Sequence, residues 1–112
     1  MNITVSVTDG VSGHPAEGVE VTVVGRPAGE PTLCLHGLTD RQGNFTYSPG
    51  TERLSQGEYY TVELDVNAYF ASLGTVAGYK RVTVLVRVLN TQTDYRIGAL
   101  ITPFVHTIWS AR

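Results

Sequence analysis

The segment RVTVLVRVL (residues 81–89) shows the clearest alternation of side-chain type in the chain. Its four valines, Val82, Val84, Val86 and Val88, occupy every second position. Successive side chains of a β-strand point to opposite faces, so these valines share one face. The same period of two recurs on both sides of the segment, far more often than the 3.6-residue period of a helix. The pattern predicts a β protein.

Alternating apolar segments separated by turn signals extend this pattern through the chain. A long turn rich in glycine, DGVSGHPAEG (residues 9–18), follows the first of them. Short antiparallel strands at this spacing predict one all-β domain over residues 1–112, a two-sheet sandwich of about eight strands. The strands are expected at residues 3–8, 19–24, 33–38, 45–48, 60–64, 81–89 and 95–101, and around Thr107 and Trp109.

Two connections have more specific signals. TDRQGN (residues 39–44) predicts a β-hairpin, in which Asp40 caps the turn and Gly43 takes a positive φ. NAYFASLG (residues 67–74) predicts the one helix, about two turns long and ended by Gly74.

Composition narrows the classes of partner and compartment. The chain has 112 residues, 42% of them hydrophobic, and a net charge of −2. It has no basic run, which argues against nucleic acid and anionic membrane as partners. It also lacks the roughly 18 consecutive apolar residues of a membrane span. The N-terminus begins with a strand pattern rather than a signal segment, and Cys34 is the only cysteine. These features favour a reducing compartment, and we expect the cytoplasm.

The outward side chains of three strands form the candidate site. Tyr95, Ile97, Ala99 and Ile101 form the apolar face of the penultimate strand, which leaves the alternate residues pointing outward. Apolar members of such a face need a cover, so a partner subunit is expected over part of it. The face is either a self-association surface without a ligand or the lining of a cavity. Its expected members are Ser6, Thr8, Asp94, Arg96, Gly98, Leu100, Thr107 and Trp109.

Other reactive side chains are given structural roles. His106 alternates to the opposite face from Thr107 and Trp109, which predicts a packed or interface histidine. His14 and His36 have no metal-ligand spacing to each other or to Cys34, so no metal site is expected. Asp9 opens the first turn, where we expect it to accept hydrogen bonds from backbone amides. No cofactor-binding motif is present.

The sequence resembles the transthyretin and 5-hydroxyisourate hydrolase family. Four stretches carry the likeness in order: VTDGVSGHPAEGVEVTV (7–23), TDRQGNF (39–45), GEYYTVELDVNAYFASLG (57–74) and YRIGALITPF (95–104). The resemblance implies the same sandwich of eight strands and a homotetramer, a dimer of dimers. It also implies a central channel between the dimers, with two sites lined by the outward face described above.

The hydrolase branch of this family opens 5-hydroxyisourate, a product of urate oxidation, and the resemblance implies where its catalytic residues would lie. The first-strand histidine position holds Ser6, the arginine after the central turn is replaced by Asn44, and the second histidine is replaced by Arg96. The C-terminal Tyr-Arg-Gly-Ser is replaced by a sequence ending in WSAR, whose last residue is Arg112. All four elements of the hydrolase pattern are therefore changed.

These changes alter the chemistry of the site. A serine hydroxyl cannot take a proton from water near neutral pH as an imidazole can, and an arginine stays charged. Arg96 can instead hold an anionic or carbonyl oxygen and stabilise developing negative charge. Arg96 and Ser6 are therefore the candidates for any catalytic role. The candidate ligand-binding residues are Thr8, Asn44, Gly98, Leu100, Thr107, Trp109 and Arg112.

The transthyretin branch binds thyroid hormones in the open channel through a first-strand lysine and small residues on the last strand. Ser6 occupies the lysine position, and Trp109 stands where transthyretin is small, so Trp109 is expected to fill the channel centre. A small ligand near the channel mouth fits this sequence better than a hormone.

Three hypotheses remain from the sequence. The first is a family member without the hydrolase histidines that binds or transforms a small anionic or carbonyl-rich molecule through Arg96. The second is a divergent 5-hydroxyisourate hydrolase of purine degradation that uses Arg96, Ser6 and Arg112. The third is a structural or partner-binding sandwich without a ligand.

Overall fold

The computed structural model describes residues 2–25, 33–48, 59–88 and 94–111, which contain eight strands and one helix. The strands and the helix follow the chain in the order β1 (Ile3–Asp9), β2 (Glu20–Gly25), β3 (Leu33–Leu38), β4 (Asn44–Tyr47), β5 (Tyr59–Asp65), α1 (Val66–Ser72), β6 (Arg81–Arg87), β7 (Tyr95–Ile101) and β8 (His106–Ala111). The predicted set of strands and the single helix are confirmed, with differences of one or two residues at their ends.

The strands form two four-stranded sheets, and the predicted sandwich is confirmed. The first sheet has the order β4-β1-β7-β8, and the second has the order β3-β2-β5-β6. Alternate residues of each sheet face the other sheet and are buried, so the period of two in the sequence becomes the core. The core contains Ile3, Val5, Val7, Val19, Val21, Val23, Tyr60, Val62, Leu64, Val82, Ile97, Ala99 and Ile101, among others.

The expectation that the strands are all antiparallel is wrong at one place. β1 and β7 pair in parallel, from Ile3 beside Tyr95 to Asp9 beside Ile101. The other described pairings are antiparallel. Alternation within one strand fixes its inward face but carries no information about the direction of a partner that is about 90 residues away.

The hairpin predicted at residues 39–44 is also wrong, although its turn chemistry is confirmed. β3 pairs with β2 and β4 pairs with β1, so this turn carries the chain from one sheet to the other. Asp40 accepts hydrogen bonds from the amides of Gln42 and Asn44, both at 2.9 Å. Gly43 has φ +78°, and a Cβ there would collide with the carbonyl oxygen of Val7. The turn packs directly against β1, and this contact replaces a β3–β4 ladder.

The first turn and the helix are tied together through Asp9. Its Oδ1 accepts from the amides of Val11 at 2.8 Å and Ser12 at 3.3 Å, as predicted. Its Oδ2 accepts from the hydroxyl of Tyr69, on α1, at 2.8 Å. α1 begins after Asp65, whose carboxylate accepts from the amide of Ala68, and it ends before Gly74 with φ +83° as predicted. Asp9 is buried, so these hydrogen bonds replace the water that the carboxylate loses on folding.

Candidate functional site

The first sheet places the predicted site residues on one surface, which we call the site face. The strand register arranges them in three rows across the sheet. The middle row contains Asn44, Ser6, Gly98 and Trp109. The row towards the end of β1 contains Thr8, Leu100 and Thr107. The row towards the beginning of β1 contains Thr46, Thr4 and Arg96. The first, penultimate and last strands therefore share one sheet, which is the condition for these residues to form a single face.

A chain of hydrogen bonds joins three of these residues across three strands. Arg96 Nη1 donates to Ser6 Oγ at 3.4 Å, and Ser6 Oγ donates to Asn44 Oδ1 at 2.7 Å. Arg96 belongs to β7, Ser6 to β1 and Asn44 to β4, so the parallel pairing of β1 with β7 is what brings the arginine to the serine. The three positions at which the resemblance expects catalytic hydrolase residues are thus adjacent in the fold.

The hydrogen bonds of Ser6 determine what its hydroxyl can do. Its proton goes to an amide oxygen, which is not a base, and its oxygen accepts from a permanent cation. Asp94, the carboxylate two residues before Arg96, accepts from the backbone amide of Asn2 at 2.9 Å. A serine nucleophile needs a base in hydrogen-bond contact, and within the described residues Ser6 has none. The arrangement is suited to holding an electron-rich group.

Trp109 covers the middle of the site face. Its indole ring lies over Gly98 on the neighbouring strand, so that a Cβ at Gly98 would meet the ring at less than 3 Å. The indole of Trp109 therefore fills the space beside Gly98, which was a candidate ligand-binding residue. Gly98 is buried under the ring, whereas Trp109 itself is 50% exposed.

The apolar members of the site face are open to solvent in the single chain. Leu100 is 37% exposed and lies between Thr8 and Thr107. Together with Trp109 it forms the kind of exposed apolar surface that a partner covers. Arg112, the remaining candidate ligand-binding residue, lies outside the described residues.

The histidines lie away from this chemistry. His106 is opposite Ile101 in the β7–β8 ladder, on the inward side of the sheet, and its ring centroid is 5.4 Å from that of Tyr79. The prediction that it alternates away from Thr107 and Trp109 is confirmed. His36 lies on β3, where its ring is 3.8 Å from the Glu20 carboxylate. Among the described residues, no group of three or more histidine, cysteine, aspartate or glutamate side chains is arranged to hold a metal ion.

Two residues of the site face were missed by the sequence reasoning. Thr4 precedes Ser6 by two positions and Thr46 follows Asn44 by two, so both extend outward from their strands. Their hydroxyl oxygens are 3.2 Å apart. Both occupy outward positions in the same period of two that places Ser6 outward, and this was the signal for them in the sequence.

A second polar depression lies on the outer face of the other sheet. Glu20, Thr22, Glu63, Asp65 and Arg81 line it. Two of its three carboxylates have cationic partners, because Arg81 contacts Glu63 at 3.3 Å and Lys80 contacts Asp65 at 3.9 Å. Within the described residues, no helix is long and apolar enough to cross a membrane.

The relationship to known proteins covers nearly the whole chain. The sequence profile of the HIUase/transthyretin family, in which HIUase is 5-hydroxyisourate hydrolase, matches residues 3–110. The chain belongs to this family. The resemblance predicted from the four sequence stretches is therefore confirmed.

Relatives come from both branches of the family. A probable 5-hydroxyisourate hydrolase of Schizosaccharomyces pombe is 29% identical over 110 residues, which are 96% of this chain and 88% of that protein. The crystal structure of transthyretin from Sparus aurata is 25% identical with a TM-score of 0.83, and the match covers 97% of this chain and 95% of that one. Sea bream transthyretin has also been solved in complex with thyroxine. The 5-hydroxyisourate hydrolase of Klebsiella pneumoniae shares the fold, with a TM-score of 0.80 at 24% identity over 99% of this chain and 98% of its own.

Proposed function

We propose that this protein is a homotetramer, a dimer of dimers, that binds a small anionic or carbonyl-rich molecule through Arg96 in the channel between the dimers. The observation that carries the proposal is the hydrogen-bonded chain from Arg96 through Ser6 to Asn44. It lies at the positions where the resemblance expects the catalytic residues of the hydrolases, and it presents a permanent cation there. The protein would work in the cytoplasm, in keeping with its single cysteine.

The charge of Arg96 is available to a ligand. Its guanidinium is exposed and contacts a neutral hydroxyl, and within the described residues it forms no ion pair. Arg81 and Lys80, on the other sheet, have carboxylate partners, and Arg87 lies 5.4 Å from the ring centroid of Tyr59. A guanidinium offers five N–H donors in a planar fork that matches the oxygens of a carboxylate or a carbonyl-rich ring.

A divergent 5-hydroxyisourate hydrolase is the second candidate. The relative from Schizosaccharomyces pombe, a probable enzyme of this kind, favours it. In this case Arg96 would stabilise the negative charge that develops on the ring-opening oxygen, and Ser6 and Arg112 would be the other residues of the reaction. The hydrogen bonds of Ser6 count against this candidate, because its proton is directed to an amide oxygen.

Replacement of Arg96 by methionine tests the proposal. Arg96→Met keeps much of the apolar stem and removes the charge and all five donors. Binding of urate or benzoate, measured by calorimetry, should weaken by about 1.5–3 kcal/mol, the range for a hydrogen bond to a charged group. The matched control is Arg87→Met, which removes an arginine from the outer face of the other sheet. If the wild type and Arg96→Met bind the ligand with equal affinity and assemble alike, Arg96 does not contribute to binding.

The quaternary part of the proposal has its own test. Leu100 and Trp109 are exposed apolar side chains, and the second dimer of the proposed tetramer would cover them. Analytical ultracentrifugation at micromolar concentration should show a tetramer. A clean monomer under these conditions would contradict the channel.

A further inference from the structure

The row of Thr46, Thr4 and Arg96 adds a set of hydroxyl groups to the site face. The hydroxyl oxygens of Thr4 and Thr46 are 3.2 Å apart, so one of the two donates to the other. The proton of the second hydroxyl is then free to point outward, because the pair lies at the exposed surface. Thr4 is also the direct neighbour of Arg96 in the parallel β1–β7 ladder.

The guanidinium of Arg96 lies between the row that contains Thr4 and the row that contains Ser6. Arg96 starts in the row of Thr4, but its Nη1 reaches Ser6 Oγ in the next row, so the guanidinium lies against β1 between the two. On the other side, the indole of Trp109 fills the space over Gly98. Neighbouring rows on one face of a strand are about 6.6 Å apart, twice the rise per residue. An oxyanion whose two oxygens each accept a bond of about 2.8 Å can bridge donors at that separation.

The atoms that remain available around Arg96 are mainly donors. One N–H of the guanidinium donates to Ser6, which leaves four. One hydroxyl proton of the threonine pair is not used within the pair. The Ser6 proton is already used by Asn44, and Asp94 Oδ1 is used by the amide of Asn2. A surplus of donors beside a permanent cation is matched by a group that only accepts and carries negative charge. A neutral carbonyl would use fewer of these donors and would bring no negative charge to the guanidinium, which forms no ion pair within the described residues.

We infer that Thr4, Thr46 and Arg96 form an oxyanion-binding subsite, which selects a carboxylate- or phosphate-bearing ligand over a neutral carbonyl compound. This inference rests on the proposed role of Arg96. It extends that role by specifying that the ligand is an anion and that its charged group binds at one edge of the site face. The ligand's anionic end lies on the β1–β4 side of the site face, away from the indole of Trp109 over Gly98.

The subsite is tested with small probes on the intact protein. Inorganic phosphate, acetate and neutral acetamide are titrated at constant ionic strength, and the amide resonances of Thr4, Ser6 and Arg96 are followed by NMR. We expect saturable shifts with phosphate and acetate, and none with acetamide at the same concentrations. The double variant Thr4→Val/Thr46→Val keeps β-branched side chains and removes both hydroxyls, and it should weaken phosphate binding about tenfold.

Matched variants separate the possible outcomes. Thr22→Val/Thr83→Val removes two hydroxyls from the outer face of the other sheet and should leave phosphate affinity unchanged. If the Thr4/Thr46 variant binds phosphate like the wild type while Arg96→Met loses it, the threonine subsite is wrong and the role of Arg96 stands. If Arg96→Met also binds normally, both proposals are wrong. Absence of saturable shifts with either anion, or equal shifts with acetamide, overturns the oxyanion assignment.

Discussion

The indole ring of Trp109 lies on the backbone of Gly98, its cross-strand neighbour in the β7–β8 ladder. The contact is possible because glycine has no Cβ. The indole occupies the space on β7 that a side chain at position 98 would fill. Trp109 remains half exposed, so its other surface is available to a partner or a ligand. The contact therefore limits how far into the middle row of the site face a ligand can reach.

Gly98→Ala should displace the indole without unfolding the protein. The added methyl group would meet the ring at less than 3 Å, and the half-exposed side chain can swing away. We expect the free energy of unfolding to fall by about 1 kcal/mol, the lower end for an overpacking substitution. Trp109 is the only tryptophan, so a red shift of its fluorescence reports the displacement directly.

A double-mutant cycle with Trp109→Thr provides the control for this contact. In the Trp109→Thr background the ring is absent, and Gly98→Ala should then cost close to nothing. An equal cost in both backgrounds would show that the penalty comes from the backbone of Gly98 and not from the ring.

Hydrolysis of 5-hydroxyisourate should be absent or very slow. The described site residues offer no imidazole and no base in contact with Ser6. The substrate can be generated in place with urate oxidase and its ultraviolet decay followed against the spontaneous rate. A rate far above the spontaneous one that is abolished by Arg96→Ala would establish the hydrolase alternative, with the Arg87→Ala variant as the control for loss of an arginine elsewhere.

Much of the fold could be predicted from the sequence because side-chain alternation reports directly which face of a strand is buried. On β7 the pattern predicted Tyr95, Ile97, Ala99 and Ile101 as inward, and all four are buried. The pairing of strands was harder, since it depends on contacts between distant segments. The turn at Asp40 and Gly43 has the local chemistry of a hairpin, but β3 and β4 pair with different strands, so the turn joins two sheets and packs against Val7 instead.

The candidate site was predictable as a face but not as a set of contacts. Period two placed Ser6 and Arg96 outward, yet nothing in the sequence shows that β1 and β7 are parallel, which is what brings the two side chains together. A glycine at position 98 permits a close approach, but the sequence does not show which group approaches. The structure identifies Trp109 as the neighbour, and a ligand would therefore lie elsewhere on the face.

The hydrogen bond between Tyr69 and Asp9 makes stability sensitive to alkaline pH. Burial, together with this hydrogen bond and the charge of Asp9, raises the pKa of Tyr69 to about 12, from the ordinary value of 10.0. The folded state therefore holds the phenolic proton more tightly than the unfolded state does. The stabilisation is complete below pH 10 and is lost as the pH rises towards about 12.

Tyr69→Phe should lower the free energy of unfolding by about 1 kcal/mol at neutral pH, because it removes one partly exposed hydrogen bond to a carboxylate. Urea unfolding of both proteins at several pH values should show the difference shrinking between pH 10 and pH 12. Tyr59→Phe is the control, since the Tyr59 hydroxyl forms no hydrogen bond within the described residues. A Tyr69→Phe difference that stays constant over this pH range would contradict the linkage.

Asp94 should oppose anion binding at the site face, and its removal should improve it. The carboxylate lies two residues before Arg96 and adds a negative charge near the subsite, while its Oδ1 accepts from the amide of Asn2. Asp94→Asn removes the charge and keeps an oxygen for that hydrogen bond. Two residues of extended chain span about 6.6 Å, and at that separation in a largely aqueous surrounding one unit charge is worth about 0.6 kcal/mol, so phosphate should bind roughly threefold more tightly. The control is Glu17→Gln, which changes the net charge equally in the turn beyond the other end of β1. If both variants raise the phosphate affinity alike, the effect comes from the overall charge and the anion is not bound beside Arg96. If only Asp94→Asn raises the affinity, the anion binds beside Arg96.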